Sequence, residues 1–463
     1  MNRNHYAACT KARRKSVNWT LPKTALLAGL LLTAGIVAQS QAQTALTVAD
    51  VRLRAASFNR QYLSAKQDLR QAESQVKIAR AGVFPDIDLS SSYDRNFIIP
   101  SFFVTANGES MEFKTGFKNN FGYSLSVNQS IWEGGKVITA WQIARLYRDY
   151  TNLNLEAVQS EVLYNADLLF YNAIFQRSVL ETLRKAHEAT SYNMQTVEKQ
   201  FQQGMVSEFD LLRARVENAN LEPQVLQAES EVILSQKRLK SFIGMPLRDS
   251  ITLIEDAMDT SLTRLPDLET LVTSALKNRP ETQASRKLAS ITKKAVSIAK
   301  AEYWPTLDAS YRYSSSASSD SWNLDENVSK SSTVGLRLNF KIFDGFQRSG
   351  DVAYRRADFE KSRIAEEQLA DNVRLEVEQA YDQLVRAKKS LDIQKETIAQ
   401  AEEGLKIANL RYEQGVGTQL EVLAAQSALT NARNSLAQAL FFFRTSKAQL
   451  KKATTVDIGA ETR

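Results

Sequence analysis

The sequence predicts a mainly α-helical protein with a smaller share of two-faced β-structure, arranged as two tandem repeats. Each repeat contributes one pair of strands and one hairpin of very long helices. Three observations predict this. VKIARAGVFPDIDLSSSY (76–93) aligns without a gap on VSIAKAEYWPTLDASYRY (296–313), with eight of eighteen positions identical. From Lys136 to Gln203, 68 residues contain neither Gly nor Pro. Four short segments alternate apolar and polar residues with a period of two. A repeat of this length must be read before any single motif.

Residues 1–42 read as a secretory signal peptide. Arg3, Lys11, Arg13, Arg14, Lys15 and Lys23 form a basic stretch without an acid. An apolar core from Ala25 to Val37 follows, short for a membrane-spanning helix, and then the small-x-small pattern Ser40-Gln41-Ala42. All six charges of this leader are basic. The rest of the chain therefore carries 53 basic and 52 acidic residues, and the net charge of +7 is no argument for nucleic-acid binding. The single cysteine, Cys9, precedes the apolar core, where a lipid-anchored protein would not place it.

Repeat 1 is expected over 43–243. It opens with a helix over about 47–83 that Phe84-Pro85 stops. Strands follow at about 86–97 and 120–132, joined by a polar loop. A very long helix comes next, with a turn at Gly204 and a return helix over about 207–242. A connector with short elements is expected over 244–265. Repeat 2 is expected over 266–452 and a tail over 453–463. Its first helix, 266–302, is interrupted near Asn278-Arg279-Pro280 and stopped by Trp304-Pro305. Strands follow at 306–316 and 333–343, then a long helix, a turn at Gly415 and a return helix over 418–452. A straight helix of 68 residues is roughly 100 Å long and must pack side by side with others as a coiled coil.

In the strands, Tyr123 and Leu125, or Leu336, Leu338 and Phe340, alternate with small, polar or charged residues. A half-buried soluble sheet and a transmembrane barrel both show such alternation. Aromatic residues cluster on and beside the strands, as they would in interfacial girdles. Four strands cannot close a barrel, because an open edge is not tolerated in lipid. Strands that span a membrane here would need several chains to share one barrel.

Composition excludes much chemistry. His187 is the only histidine after the leader and lies in a polar helical stretch. No Cys/His nucleophile, zinc ligand set or glycine-rich phosphate loop is present, so neither enzyme activity nor a cofactor nor a metal is expected.

The duplicated order of helix, proline, strand pair, very long helix, glycine tip and return helix resembles the TolC family of outer-membrane channel proteins. The resemblance covers about 45–452. It implies a homotrimer with a twelve-stranded barrel in outer-membrane lipid above a periplasmic α-helical tunnel. It also implies a periplasmic adaptor and an inner-membrane ABC or proton-driven transporter as partners. By the same resemblance, Gly204-Met205-Val206-Ser207 and Gly415-Val416-Gly417-Thr418 are tips where an adaptor docks. Asp210 and Tyr412 match a pair that holds the entrance closed. The arginine that accompanies that pair is Gly417 here, which leaves Arg213 or Gln419 as substitute partners. Glu421 matches one position of an acidic entrance ring, and the following acidic position is Ala424. The expected function is the exit duct of a type I protein secretion system. The alternatives are drug or metal efflux, or a pore-less periplasmic coiled-coil scaffold.

Overall fold

The computed structural model describes residues 44–106, 108–255 and 265–456. The expected signal peptide, residues 256–264 of the expected connector and residues 457–463 of the tail lie outside the described residues.

The two repeats are built to the same lengths. In repeat 1, helix α1 (Val48–Phe58, 11 residues) and α2 (Arg60–Ala81, 22 residues) meet at Asn59. In repeat 2, α5 (Leu268–Asn278, 11 residues) and α6 (Pro280–Ala301, 22 residues) meet at Arg279. The sequence reading expected only the second break. Asn59 makes the first one: its side chain accepts from the backbone N–H of Gln61 and Tyr62 at 2.9 and 3.2 Å, capping a new helix. Its amide also donates to Phe242 O at 3.1 Å. At Arg279 a proline in the first helical position does the same job, because its missing N–H is not needed there.

The long helices α3 (Lys136–Gln202) and α7 (Gln347–Glu413) are both 67 residues, about 100 Å each at 1.5 Å per residue. The return helices α4 (Glu208–Phe242) and α8 (Gln419–Thr454) pack back on them. Each repeat buries its own core where three helices meet. Val51, Ala55, Val162, Ala166 and Leu239 are buried in the first, and Leu271, Ala275, Val373, Val377 and Leu450 occupy the matching positions of the second. Outside the helical hairpins, strands β1 (Thr44–Leu46) and β6 (Ile251–Leu253) pair in parallel against the first core.

The main sheet has four antiparallel strands: β2 (Asp86–Arg95), β5 (Asn119–Glu133), β7 (Thr306–Ser319) and β8 (Ser329–Asn339), in that lateral order. The loop expected between the first two strands carries a hairpin that the sequence reading lacked, β3 (Ser101–Ala106) with β4 (Glu109–Lys114). β7 runs to Ser319, three residues beyond the expected end, and β8 is shifted toward its N-terminus. Phe340, expected within a strand, lies one residue past β8.

Strands and helices share one lateral order. α2 leads into β2, β5 into α3, α6 into β7 and β8 into α7. α2 packs on α3, α3 on α6, and α6 on α7. The sheet β2-β5-β7-β8 therefore stands on a helical layer α2-α3-α6-α7, and the two form one continuous wall. Among the described residues, no helix is long and apolar enough to cross a membrane.

The repeats are tied through α3. Within repeat 1, buried Asp167 of α3 accepts two bonds from Arg52 of α1 at 2.6 and 2.7 Å. Phe175 stacks on Phe441 of α8 with ring centroids 5.5 Å apart. Arg444 lies over Tyr171 and bonds Glu255 at 2.5 Å. Lys452 pairs with Glu161.

Candidate functional site

The two regions that carry the functional expectations are the helical tips and the faces of the sheet.

At the first tip α3 ends in a Schellman-type turn. Gly204 takes φ +73°, and the Met205 N–H reaches back to Gln200 O at 2.8 Å. Ser207 then starts α4 with a capping box. Its hydroxyl meets the Asp210 N–H at 3.2 Å and donates to Asp210 Oδ2 at 2.6 Å, and its own N–H reaches Oδ2 at 3.3 Å. Val206, just before the cap, packs with Leu211, Val197 and Ala214 as a hydrophobic staple.

The second tip repeats the turn and not the fastening. Gly415 has φ +73°, and Val416 N–H bonds Arg411 O at 3.0 Å. Thr418 caps α8 through the Glu421 N–H at 3.3 Å. Here the acid is shared, because Arg411 Nε donates to Glu421 Oε2 at 3.2 Å. The staple position is Gly417, which has no side chain to pack. Nor could it hold one: an added Cβ would lie 2.9 Å from Arg411 Cβ and 3.0 Å from the Tyr412 backbone nitrogen.

Tyr412 binds the tips to each other. Its hydroxyl donates to Gln200 Oε1 at 2.9 Å, joining the ends of α7 and α3. Burial pushes the Tyr412 phenol above its ordinary pKa, and the nearby Asp210 carboxylate adds to this. Asp210 therefore faces Tyr412 electrostatically, but its hydrogen bonds go to Ser207. Arg213 lies over the Phe209 ring, 5.1 Å from its centroid. Gln419 is buried, and neither polar atom of its amide has a hydrogen-bond partner. Sequence reasoning missed Gln200 and Arg411. Aligning the two tips puts them at equivalent positions, one residue before Phe201 and Tyr412, and that equivalence was the available signal. Met205, Phe209, Val416 and Leu420 are exposed apolar residues around the two turns.

In the sheet, register carries each face across all four strands. One face has the rows Ile87–Val127–Tyr311–Val334 and Leu89–Leu125–Tyr313. Tyr123, Leu336 and Leu338 belong to the same face and are exposed, with Leu336 71% accessible. The other face has the rows Asp88–Ser126–Arg312–Thr333 and Ser90–Ser124–Ser314–Ser331, polar throughout and mostly small. Aromatic residues gather at both ends. Tyr93, Phe121 and Trp322 contact one another at the loop end. Exposed Phe84, Trp132, Trp304 and Phe343 stand at the helix end. Two aromatic belts around an aliphatic band, with a polar opposite face, are what a lipid-facing sheet around an aqueous lumen requires.

Comparison with known proteins agrees with this geometry. The model of the family described as outer membrane efflux protein matches residues 51–245 and 271–455. The outer membrane protein TolC of Escherichia coli (strain K12) is 21% identical over 92% of this chain and 85% of its own length. The proteases secretion protein PrtF of Dickeya chrysanthemi is 21% identical over 84% of this chain and 82% of its own. The cobalt-zinc-cadmium resistance protein CzcC of Cupriavidus metallidurans is 24% identical over 67% and 71%. Among solved structures, CusC superposes with a TM-score of 0.74 at 17% identity, covering 88% of this chain and 91% of that one. The two matched stretches coincide with the two repeats and leave out the connector. The chain belongs to the outer membrane efflux protein family and is an outer-membrane channel of the TolC type.

Proposed function

We propose that this chain is the exit duct of a tripartite exporter and that its cargo is protein, as in type I secretion. The observation that carries the reading is the shared lateral order of strands and helices. A wall that passes from an amphipathic sheet into a helical layer about 100 Å long forms a conduit across a membrane and a space beneath it once copies complete the circle. A homotrimer supplies twelve strands and closes it. The chain makes and breaks no bond. Energy enters from an inner-membrane transporter through a periplasmic adaptor, and the exposed apolar residues around Gly204 and Gly415 offer that adaptor two non-identical seats. The polar face is largely serine and asparagine, with charges of both signs spaced along it at Asp88, Asp308, Arg312 and Arg337. Such a lining suits a polypeptide of any sequence. The name of PrtF, which refers to protease secretion, supports a protein cargo.

CzcC favours a second reading, since its name refers to metal resistance. A deletion strain separates the two. Loss of particular proteins from the culture medium supports protein export. Unchanged secretion with raised sensitivity to divalent transition metals would overturn it in favour of metal efflux.

The entrance is held closed at the tips, where the Tyr412–Gln200 bond links the repeats and Asp210 and Glu421 place negative charge. In planar bilayers, Asp210→Ala combined with Tyr412→Phe is expected to raise conductance. Wild-type closure in that double variant would remove the gate from these residues.

A further inference from the structure

The outer strands of the main sheet are open edges. Among the described residues, β2 pairs only with β5, and β8 only with β7. On the polar face each edge carries charge of one sign. β2 presents Asp86, Asp88 and Asp94 there, and β8 presents Arg337. All four are exposed, and among the described residues none of them forms an ion pair within the chain. Asp308, the register neighbour of Arg337, accepts from Ser130 Oγ at 2.9 Å instead.

In a barrel shared by copies β8 meets the β2 of the next copy, and we propose that at this joint Arg337 lies opposite Asp86 or Asp88 of the neighbouring copy, at the helix-side mouth of the lumen. The proposal rests on reading the chain as a cyclic barrel of identical copies. Three geometric facts then converge. Successive antiparallel pairings make β2 and β8 run in opposite directions, so a β8–β2 joint continues the antiparallel ladder. β2 begins at Asp86 where α2 ends, and β8 ends at Asn339 where the chain passes to α7, so both sites lie at the junction of sheet and helices. Rotation about the barrel axis does not change height, which brings the start of one β2 level with the end of the adjacent β8. The polar faces must also continue one another, so the acids and the arginine share the lumenal side.

The charges select register more than they hold copies together, because ion pairs in water are weak. A slip of one residue would turn every side chain to the wrong face. A slip of two keeps the faces correct, and only a device such as this opposes it, by removing Arg337 from its acids.

Cysteine pairs in the full-length protein test the proposal. Cys9 is the only native cysteine, and Cys9→Ser leaves a clean background. Arg337→Cys combined with Asp86→Cys or with Asp88→Cys is expected to give covalent dimers and trimers on oxidation, since a disulfide needs Cα atoms within about 7 Å. The Arg337→Cys, Asp94→Cys pair is expected to give none. If neither near pair cross-links while the unmodified protein still migrates as a heat-labile oligomer, the pairing is overturned and the barrel reading survives. If the unmodified protein forms no oligomer, both fall. In a second test, Arg337→Glu is expected to lower the temperature at which the oligomer dissociates, and adding Asp86→Lys with Asp88→Lys to restore it. A deficit left uncorrected by the exchange overturns the charge pairing.

Discussion

Single residues at the second tip show how one small change reshapes a site. Gly417 stands where the TolC-family resemblance expects an arginine, and the backbone there leaves no room for a Cβ. The local cation comes instead from Arg411, six residues earlier, which contacts Glu421 at 3.2 Å. Gly417→Ala is expected to destabilise this tip by about 1–3 kcal/mol, the usual range for forced overpacking. Gly415→Ala has open space and suffers only from its positive φ, for about 1 kcal/mol. Hydrogen exchange at the start of α8 would rank the two, and equal protection in both variants would remove the clash argument. Tyr412 gives a pH prediction. Its pKa is raised, so the neutral phenol is the form favoured in the folded tip. The latch to Gln200 is therefore complete below the ordinary tyrosine value near pH 10 and is lost as pH rises through the raised value. Ionisation removes the proton that Gln200 accepts and sets a phenolate near Asp210. Conductance is expected to climb in that alkaline window, and Tyr412→Phe to abolish the climb. An unchanged alkaline response in Tyr412→Phe would assign it to other groups.

Among elements, the tips are fastened unequally. α4 begins with both halves of a capping box and a staple, whereas α8 has a threonine cap, an acid shared with Arg411 and no staple. Ser207→Ala removes a full box and is expected to cost about 1 kcal/mol or more, and Thr418→Ala about half as much. The amide protection of Asp210 and Glu421 measures each loss directly, and a larger loss at Glu421 would reverse the ranking. The consequence for the channel is that α8 is the easier of the two return helices to release. Much of the element order was legible from prolines, glycines and the period of alternation. Asn59 was not, because asparagine caps helices and also sits in their exposed faces, and only the bonds to Gln61, Tyr62 and Phe242 distinguish the two roles here. The β3–β4 hairpin also escaped, since its alternation is short and broken by Phe103.

At the scale of the whole molecule, α3 packs against both repeats, and its best-buried charge, Asp167, fastens it to α1 of its own repeat. It holds Arg52 with two bonds and is almost inaccessible to water. Asp167→Ala removes both bonds to a guanidinium that water partly reaches, with an expected loss of about 1–2 kcal/mol. Thermal unfolding of the detergent-solubilised protein measures this, and a change below about 0.5 kcal/mol would show that the pair is solvated. Asp167→Asn keeps the shape and part of the bonding, and is expected to lose less.

The duplication, the long helices, the turns at Gly204 and Gly415 and the two-faced strands are legible in the residue order alone. These follow from local rules: proline and glycine limit the backbone, and side-chain periodicity records which face meets which solvent. Only the tertiary structure decided the rest. It placed Gln200 against Tyr412, gave Arg411 the charge role that Gly417 cannot fill, set Asp210 to cap α4, and aligned four strands above four helices in the same order. The Gln200–Tyr412 bond joins residues 212 apart and the sheet order rests on pairing between the repeats, and no local pattern encodes such register. It is settled where the two buried cores and the ladder β2-β5-β7-β8 pack at once, because a slip in either would expose apolar residues or break hydrogen bonds in the other.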